Sequence, residues 1–483
     1  DKYELTGYPY LNIGSEDFQT NSGKGSEYTS NSVFGRVIYS YADRYLFQAN
    51  IRHDGSSRFA KGYRWGTFPS FSAGWVMSEE KFMKSLNWDW LSFLKLRGSW
   101  GILGNERIGD DYFPYIALMS FGNSLFYMAD GSVVSDKTAR PAILAVEDIT
   151  WETTTSTDFG LDANFFNNRL QFHFDYYWKQ TKDMLLKIEI PYFMGYNNPN
   201  TNAGKMSTHG YDIELAWNDR IGDLQYGVNV NFSDFLSKID YMNDGEQISN
   251  GKIKRAGVLF NEYYGYVCDG IYQTQEEVNN SARTSTTVTV GDLKYRDISG
   301  PDGVPDGIIS PEYDRVPLGN SLPRFQYGGT FNASYKGIDF SIAFQGIGKQ
   351  NSYLSTAMVQ PLRDNYGSVP SIIEGKYWSP FNTAEENLSA RYPRLSNVSK
   401  SNNYATSSFW MFNGSYFRLK NLTLGYTLPE TWTQKAGIDR VRFYISGSDL
   451  FCLSNFPDGW DPEMGASSYP ITTSLVMGLQ VNF

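Results

Sequence analysis

The residues best suited to chemistry lie in one acidic, glycine-rich stretch. Asp297-Ile298-Ser299-Gly300-Pro301-Asp302-Gly303 runs on through Asp306-Gly307 to Asp314. Carboxylate and hydroxyl oxygens on a backbone bent by glycine are what a Ca2+ loop needs. Asp297, Ser299, Asp302, Asp306 and Asp314 are the candidate ligands, and the ion would be structural, pinning a long loop. The strict EF-hand spacing fails because no bidentate Glu closes the segment, so a solvated acidic turn is the alternative reading. A second group, Asp54-Gly55-Ser56-Ser57-Arg58-Phe59, combines carboxylate, hydroxyl and guanidinium. No histidine base is placed to activate its serines, and an Asp-Gly-Ser-Ser string is first of all a turn. No glycine-rich phosphate loop leads from a strand into a helix. Three histidines (His53, His173, His209) and two cysteines (Cys268, Cys452) without CxxC spacing do not make a zinc site. The cysteines could pair in an oxidising compartment, a matter sequence leaves open because it shows no distance. No catalytic residue emerges, and no cofactor is required.

The 483 residues carry 42 Lys+Arg against 52 Asp+Glu, a net charge of −10, which argues against a nucleic-acid binder. Aromatic residues make up 16% of the chain, too many for a disordered one. No apolar run is long enough for a transmembrane helix. The mean hydropathy of −0.43 reads as soluble, yet membrane-crossing strands average polar and apolar residues together and escape such a scan.

A period of two is written many times along the chain. Phe159, Leu161, Ala163 and Phe165 alternate with Asp158, Gly160, Asp162 and Asn164. After Asn167-Asn168, Leu170, Phe172, Phe174, Tyr176 and Trp178 alternate with Gln171, His173, Asp175, Tyr177 and Lys179. This pattern predicts a hairpin with one greasy and one polar face. Tyr211 to Trp217 with Leu224 to Phe232 repeats it, as do Phe325 to Tyr335 with Ile338 to Phe344, and Val33 to Tyr41 with Tyr45 to Ile51. With the stretches 69–75, 94–100, 417–428, 441–447 and 471–483, about thirteen strands result, many long enough to cross a bilayer at a tilt. Their connections alternate between short (43–44, 78–91, 167–168, 219–223, 336–337, 429–439) and long (53–66, 102–153, 183–205, 237–323, 348–414, 449–470). Short turns on one side and long loops on the other predict an outer-membrane barrel with periplasmic turns and extracellular loops. Charge falls almost wholly on one face, at Arg36, Arg52, Lys95, Arg97, Asp162, Asp175, Lys179, Asp212 and Glu214, as a wet lumen requires. A large soluble β-sandwich or solenoid is the competing fold.

Single-chain bacterial barrels have even strand numbers, and the count here is odd. The opening Asp-Lys-Tyr-Glu-Leu-Thr-Gly is not a signal peptide, so an N-terminal part is expected to precede residue 1. The large loops hold aromatics expected to be exposed: Trp151, Tyr263, Tyr264, Tyr366, Trp378, Trp410 and Trp460. Aromatic faces stack on sugar rings and pack against peptide side chains, while the bland reading of each is a residue that packs its own loop. At the other end, Ile471, Thr473, Leu475, Met477, Leu479, Val481 and Phe483 form one outward row, and the terminal Phe483 looks like the signal read by the outer-membrane assembly machinery.

Several of these stretches resemble one family. Asp43-Arg44-Tyr45-Leu46, Ile51-Arg52-His53-Asp54-Gly55-Ser56-Ser57-Arg58-Phe59, Arg64-Trp65-Gly66 and Phe68-Pro69-Ser70-Phe71-Ser72-Ala73-Gly74-Trp75 are similar to the mid-barrel signature of SusC/RagA-like TonB-dependent transporters of Bacteroidetes. Leu94-Lys95-Leu96-Arg97-Gly98-Ser99-Trp100-Gly101 and the segment from Asn413 to Tyr426 continue the likeness, which spans residue 33 to the C-terminus. The resemblance implies an all-β, transmembrane antiparallel β-barrel of which residues 1–483 are the C-terminal part, with about nine strands of a plugged 22-strand barrel lying outside it. It further implies a plug domain and TonB box in that N-terminal part, a SusD-like surface lipoprotein as partner, TonB as energy source, and an oligosaccharide (glycan) or peptide as substrate. The 297–314 segment is similar to an Asp-rich run common in SusC-like proteins, with one residue inserted after Gly300. A passive porin-like barrel or surface adhesin, and a soluble β-rich glycan-binding protein, are the alternatives.

Overall fold

The computed structural model describes residues 25–109, 111–141, 143–243, 245–355, 359–363, 369–464 and 468–483. Thirteen strands form one antiparallel sheet in chain order: β1 Ser30–Tyr41, β2 Tyr45–Ser56, β3 Trp65–Val76, β4 Leu91–Asn105, β5 Glu152–Phe165, β6 Leu170–Lys187, β7 Asn200–Ile221, β8 Leu224–Met242, β9 Arg324–Tyr335, β10 Ile338–Lys349, β11 Tyr416–Thr427, β12 Arg440–Ser454 and β13 Ser474–Asn482. Every strand pairs with its sequence neighbour, and β1 and β13 are the two edges of the sheet. No helix among the described residues is long and apolar enough to cross a membrane.

The alternation read from sequence survives in the register. Lys95 faces Asp162, which faces His173, which faces Glu214, so these four form one row across β4 to β7 on the lumen side. One residue away, Leu96, Leu161, Phe174 and Ile213 form the corresponding outward row. A one-residue slip would exchange the two rows, so burial in lipid on one side fixes the register strongly.

Two belts of aromatics mark the edges of the outward face. At the short-turn end, Trp88 stacks on Trp90 at 5.3 Å, Trp90 on Phe165 at 5.8 Å, and Phe166 meets Trp217 at 6.3 Å. Toward the long loops, Phe71 stacks on Trp100 at 5.9 Å, Phe159 meets Trp178 at 6.2 Å, Phe232 stacks on Phe325 at 6.3 Å, and Phe344 on Phe417 at 5.6 Å. Such girdles stand at the two membrane interfaces of transmembrane barrels. Tight hairpins close the lower end: Lys336 and Gly337 both have positive φ, as a two-residue type I′ turn requires.

The structure lengthens several strands beyond their sequence-read limits, β7 back to Asn200 and β8 on to Met242. It also fills the long loops with structure of their own. A four-stranded sheet (Glu246–Ser249, Lys252–Arg255, Glu262–Tyr266, Arg315–Asn320) and the pair Cys268–Ile271 with Leu293–Tyr295 lie inside the connection 237–323, where periodicity shows only loop. Their strands are three to six residues long, too short for a period of two to stand out.

Candidate functional site

Two regions gather polar and aromatic groups: the charged face of the sheet (the wall), and the canopy formed by the long loops.

On the wall, Arg97 of β4 lies across Gly160 of β5, where a Cβ would meet the guanidinium carbon at 2.4 Å and push the side chain aside. The guanidinium donates to Asp162 (Nε to Oδ1, 3.1 Å) and to Asp175 (Nη2 to Oδ2, 2.7 Å), with Asp158 at 3.9 Å. His173 Nδ1 is 3.0 Å from Asp162 Oδ1. Further round, Glu214 accepts from Asn229 at 2.9 Å, and Arg442 donates to Asp339 at 2.8 Å. The cluster is a charged surface of mutually paired side chains. Among its described residues no serine or cysteine nucleophile is paired to a histidine, and the groups present are donors and acceptors of hydrogen bonds and charge.

In the canopy the predicted aromatics are packed, contrary to the expectation of exposure. Trp410 is 0% exposed, within a cluster with Leu354, Val359, Ile373, Tyr392 and Phe456, and its Nε1 donates to Asn403 O at 2.8 Å. Trp460 packs against the same cluster. Trp151 is buried between Phe59 (5.4 Å) and Phe68 (5.3 Å), and donates to Arg64 O. Tyr263 and Tyr264 are buried in the four-stranded loop sheet, Tyr263 beside Tyr353 at 5.9 Å. Trp378 is half-buried and donates to Gln273 Oε1 at 3.2 Å. Tyr366 lies outside the described residues. The correction has a simple cause: loops of this length bury apolar surface, and their largest side chains go inside first. Among the loop aromatics that do face solvent are Tyr127 (80%), Tyr192 (98%), Phe193 (89%), Phe381 (96%) and Tyr469 (81%). Pro191 before Tyr192 and Pro380 before Phe381 are the one sequence cue, marking turns that push the next side chain outward.

Residues that sequence reading missed hold the canopy together. Asp292 is fully buried and accepts from Arg394 Nε (2.7 Å), Ser399 Oγ (2.8 Å), Asn403 Nδ2 (2.9 Å) and the Thr289 amide (2.9 Å). These partners come from two loops more than a hundred residues apart in sequence, a separation that no local pattern signals. A cavity of about 160 Å³ between the barrel rim and the loop sheet is lined by Leu236, Ser237, Glu262, Asn320, Lys349 and Asn351, and burial raises the Glu262 carboxyl above its ordinary value. Its volume is below the several hundred Å³ of ordinary ligand pockets.

The acidic stretch folds as a set of carboxylate-capped turns. Asp314 is fully buried; its Oδ1 accepts from the amides of Ile298 (2.7 Å) and Ser299 (3.3 Å), and its Oδ2 from Ser310 (2.7 Å). Asp297 Oδ2 accepts from Gly307 N and Asp306 Oδ1 from Ile308 N, while Asp302 is exposed. Among the described residues no three His, Cys, Asp or Glu side chains come together as a metal-holding group, and Asp314 already spends both carboxylate oxygens on backbone amides. Chelation by EDTA is therefore expected to leave protease resistance of the 297–314 segment unchanged, whereas Asp314→Ala opens it; resistance that follows added Ca2+ would restore the ion.

Both cysteines are free thiols. Burial pushes the Cys268 thiol up to about 11. At pH 8 almost none is thiolate, so alkylation of Cys268 in the folded protein is expected to be on the order of a hundredfold slower than after denaturation. Mass spectrometry of the alkylated peptide measures this, and equal rates would place the thiol in open solvent.

Comparison with known proteins decides the family. Residues 2–446 match the model of the TonB-dependent receptor-like β-barrel. The chain belongs to that family. It is 31% identical over 488 residues to TonB-dependent receptor P3 of Formosa agariphila, covering 94% of this chain and 45% of that protein. It is 31% identical over 470 residues to TonB-dependent receptor SusC of Bacteroides thetaiotaomicron, covering 94% of this chain and 43% of that protein. In fold it matches the structure of the RagAB peptide transporter with a TM-score of 0.75 at 23% identity, over 100% of this chain and 50% of that one. The chain thus spans about half the length of the relatives it matches. As a TonB-dependent receptor barrel of the SusC/RagA type it is an outer-membrane protein and not an enzyme. The terminal Phe483 is exposed and continues the outward row of Leu475, Met477 and Leu479 on β13.

Proposed function

We propose that these residues form the C-terminal barrel wall and extracellular canopy of an importer that takes up oligosaccharides or peptides across the outer membrane. In this reading a SusD-like lipoprotein closes over the canopy, TonB supplies the energy, and an N-terminal portion supplies the plug, the TonB box and the remaining strands. The observation that carries it is the conjunction of a charged wall around Arg97 with two sheet edges, β1 and β13, that have no further strand paired to them among the described residues. An open edge is not tolerated in lipid, so β1 and β13 need partner strands, and the wall then encloses a wet lumen. The RagAB peptide transporter shares the fold, which supports the import reading and leaves glycan and peptide both within the proposal.

The test is purification from native outer membranes in detergent, with mass spectrometry of all co-purifying polypeptides. Recovery of plug-containing sequence together with a SusD-like lipoprotein is the expected result. Recovery of a barrel without either, conducting small solutes in liposomes, would favour a passive pore.

A further inference from the structure

The inner face of the wall changes character between β7 and β8. From β4 to β7 its rungs carry charge: Lys95 faces Asp162, Arg97 faces Gly160, Ser99 faces Asp158, and Asp175 faces Asp212. Across β8 and β9 the inward rungs carry none. Counting up from the short turns, Gln225 faces Ser334, Gly227 faces Asn332 and Asn229 faces Thr330. Asn231 then faces Gly328, and Ser233 faces Gln326. The alternate residues of β8, Tyr226, Val228, Val230 and Phe232, are apolar and belong to the lipid side, so parity puts the amides and hydroxyls in the lumen. Five rungs over nine residues run about 27 Å along the strand, which even at a barrel tilt covers most of an apolar band about 25 Å tall. Gln225, Asn231, Thr330 and Asn332 are exposed. Among the described residues the side chains of Gln225, Asn231 and Thr330 hold no hydrogen bond, and Asn332 is held only through Oδ1, by Ser341 Oγ at 2.7 Å. The turn-end half of this face forms a groove of about 830 Å³, floored by Ala216 and Gly227, within the range of about 300–1,000 Å³ typical of ligand sites. Charge enters the groove at its rim, where each group is already engaged: Asp219 with Arg169, Asp339 with Arg442, and Arg220 with the Gly222 carbonyl.

A hydrogen bond between uncharged groups is worth about 1 kcal/mol net, against about 1.5–3 kcal/mol where one partner is charged. A solute moving along these rungs exchanges one weak contact for another of the same kind, and passage requires binding that is spread over many sites and weak at each. An ion finds no fixed counter-charge on this face to replace the water it sheds. We propose that the inner faces of β8 and β9 are the surface along which the transported solute crosses the barrel, and that this surface takes an uncharged, hydroxyl-rich segment, the chemistry of an oligosaccharide. The inference rests on the import reading above and narrows it from two substrate classes to one. The charged wall of β4 to β7 keeps its own ion pairs and stays outside the path.

The test uses the full-length transporter in its native cells, with its own cysteines, Cys268 and Cys452 included, replaced by serine. Asn231→Cys, Thr330→Cys and Asn332→Cys report on the uncharged face, and Ser99→Cys and Ser156→Cys on the charged one. Each is labelled from outside by a glucosyl maleimide and by a sulfonated maleimide of similar size, with and without a protonophore, and every rate is divided by that of the denatured protein. Heat-modifiable migration verifies that each variant is a folded barrel. In energised cells the glucosyl reagent is expected to label positions 231, 330 and 332 about tenfold faster than in protonophore-treated cells, and faster than the sulfonated reagent does, with little change at 99 and 156. A gain confined to 99 and 156, or equal on both faces, would overturn the path while import stands. Positions 330 and 332 that stay unlabelled in energised cells would overturn it too, as a surface the plug keeps covered. Equal rates for the two reagents would overturn the uncharged class of solute. Fast labelling at every position regardless of protonophore would mark a passive pore and remove the import reading itself.

Discussion

Replacing Asp292 by Ala is expected to loosen the extracellular canopy while the barrel remains folded. The carboxylate is 0% exposed and is the shared acceptor for Arg394, Ser399, Asn403 and the Thr289 amide. Its loss strands a guanidinium and three further donors in a site built around negative charge. Removing one partner of a buried ion pair costs about 3–5 kcal/mol, most of it the penalty of the unpaired remainder. Hydrogen exchange should therefore rise at Leu293 and at residues 399–403, because Asn403 Oδ1 also receives the Leu293 amide and Asn402 Nδ2 donates to Leu293 O. Strands β1 to β13 should keep their protection. The double replacement Asp292→Asn with Arg394→Met removes both charges and is expected to be milder than Asp292→Ala. Unchanged exchange in Asp292→Ala would show that the apolar cluster around Trp410 holds the two loops without the carboxylate.

The difference between what sequence showed and what it concealed follows from the solvents on each side of the chain. In the wall, lipid on one face and water on the other impose a period of two over strands of 9 to 22 residues. That is why the greasy row through Leu96, Leu161, Phe174 and Ile213 is visible in the letters alone, and why thirteen strands in meander order follow from them. The canopy has no such constraint. A tryptophan in a loop reads the same whether it awaits a ligand or fills a core, and Trp410 and Trp151 do the latter. The acidic run at 297–314 has the composition of a metal loop, but composition does not say where each oxygen points, and Asp314 spends both on backbone amides. Asp292 had no local signal because its partners lie a hundred residues away.

The same reasoning gives the second large effect, at the lumen mouth. Arg418 stands near the extracellular end of β11 with a side chain only 4% exposed. Its Nη2 donates to Asp461 Oδ1 at 2.6 Å, and Glu463 and Asp449 lie within ion-pair distance. Lys420, two residues further in, donates to Asp449 at 2.8 Å. Asp461 and Glu463 belong to the loop between β12 and β13, so one guanidinium ties that loop to the inner wall. Arg418→Met would leave three carboxylates facing one lysine, at an expected cost of about 3–5 kcal/mol to the docked loop. Arg418→Lys restores the charge without the planar fork that serves two carboxylates at once, so it should recover only part of the loss. Hydrogen exchange over residues 455–464 measures both, with the pairing of β11 and β12 as internal reference. If Arg418→Lys matches the parent, charge alone holds the loop. If Arg418→Met also matches it, Phe456, buried against Phe412 at 6.1 Å, must anchor the loop instead, and the mouth of the barrel is closed by packing rather than by charge.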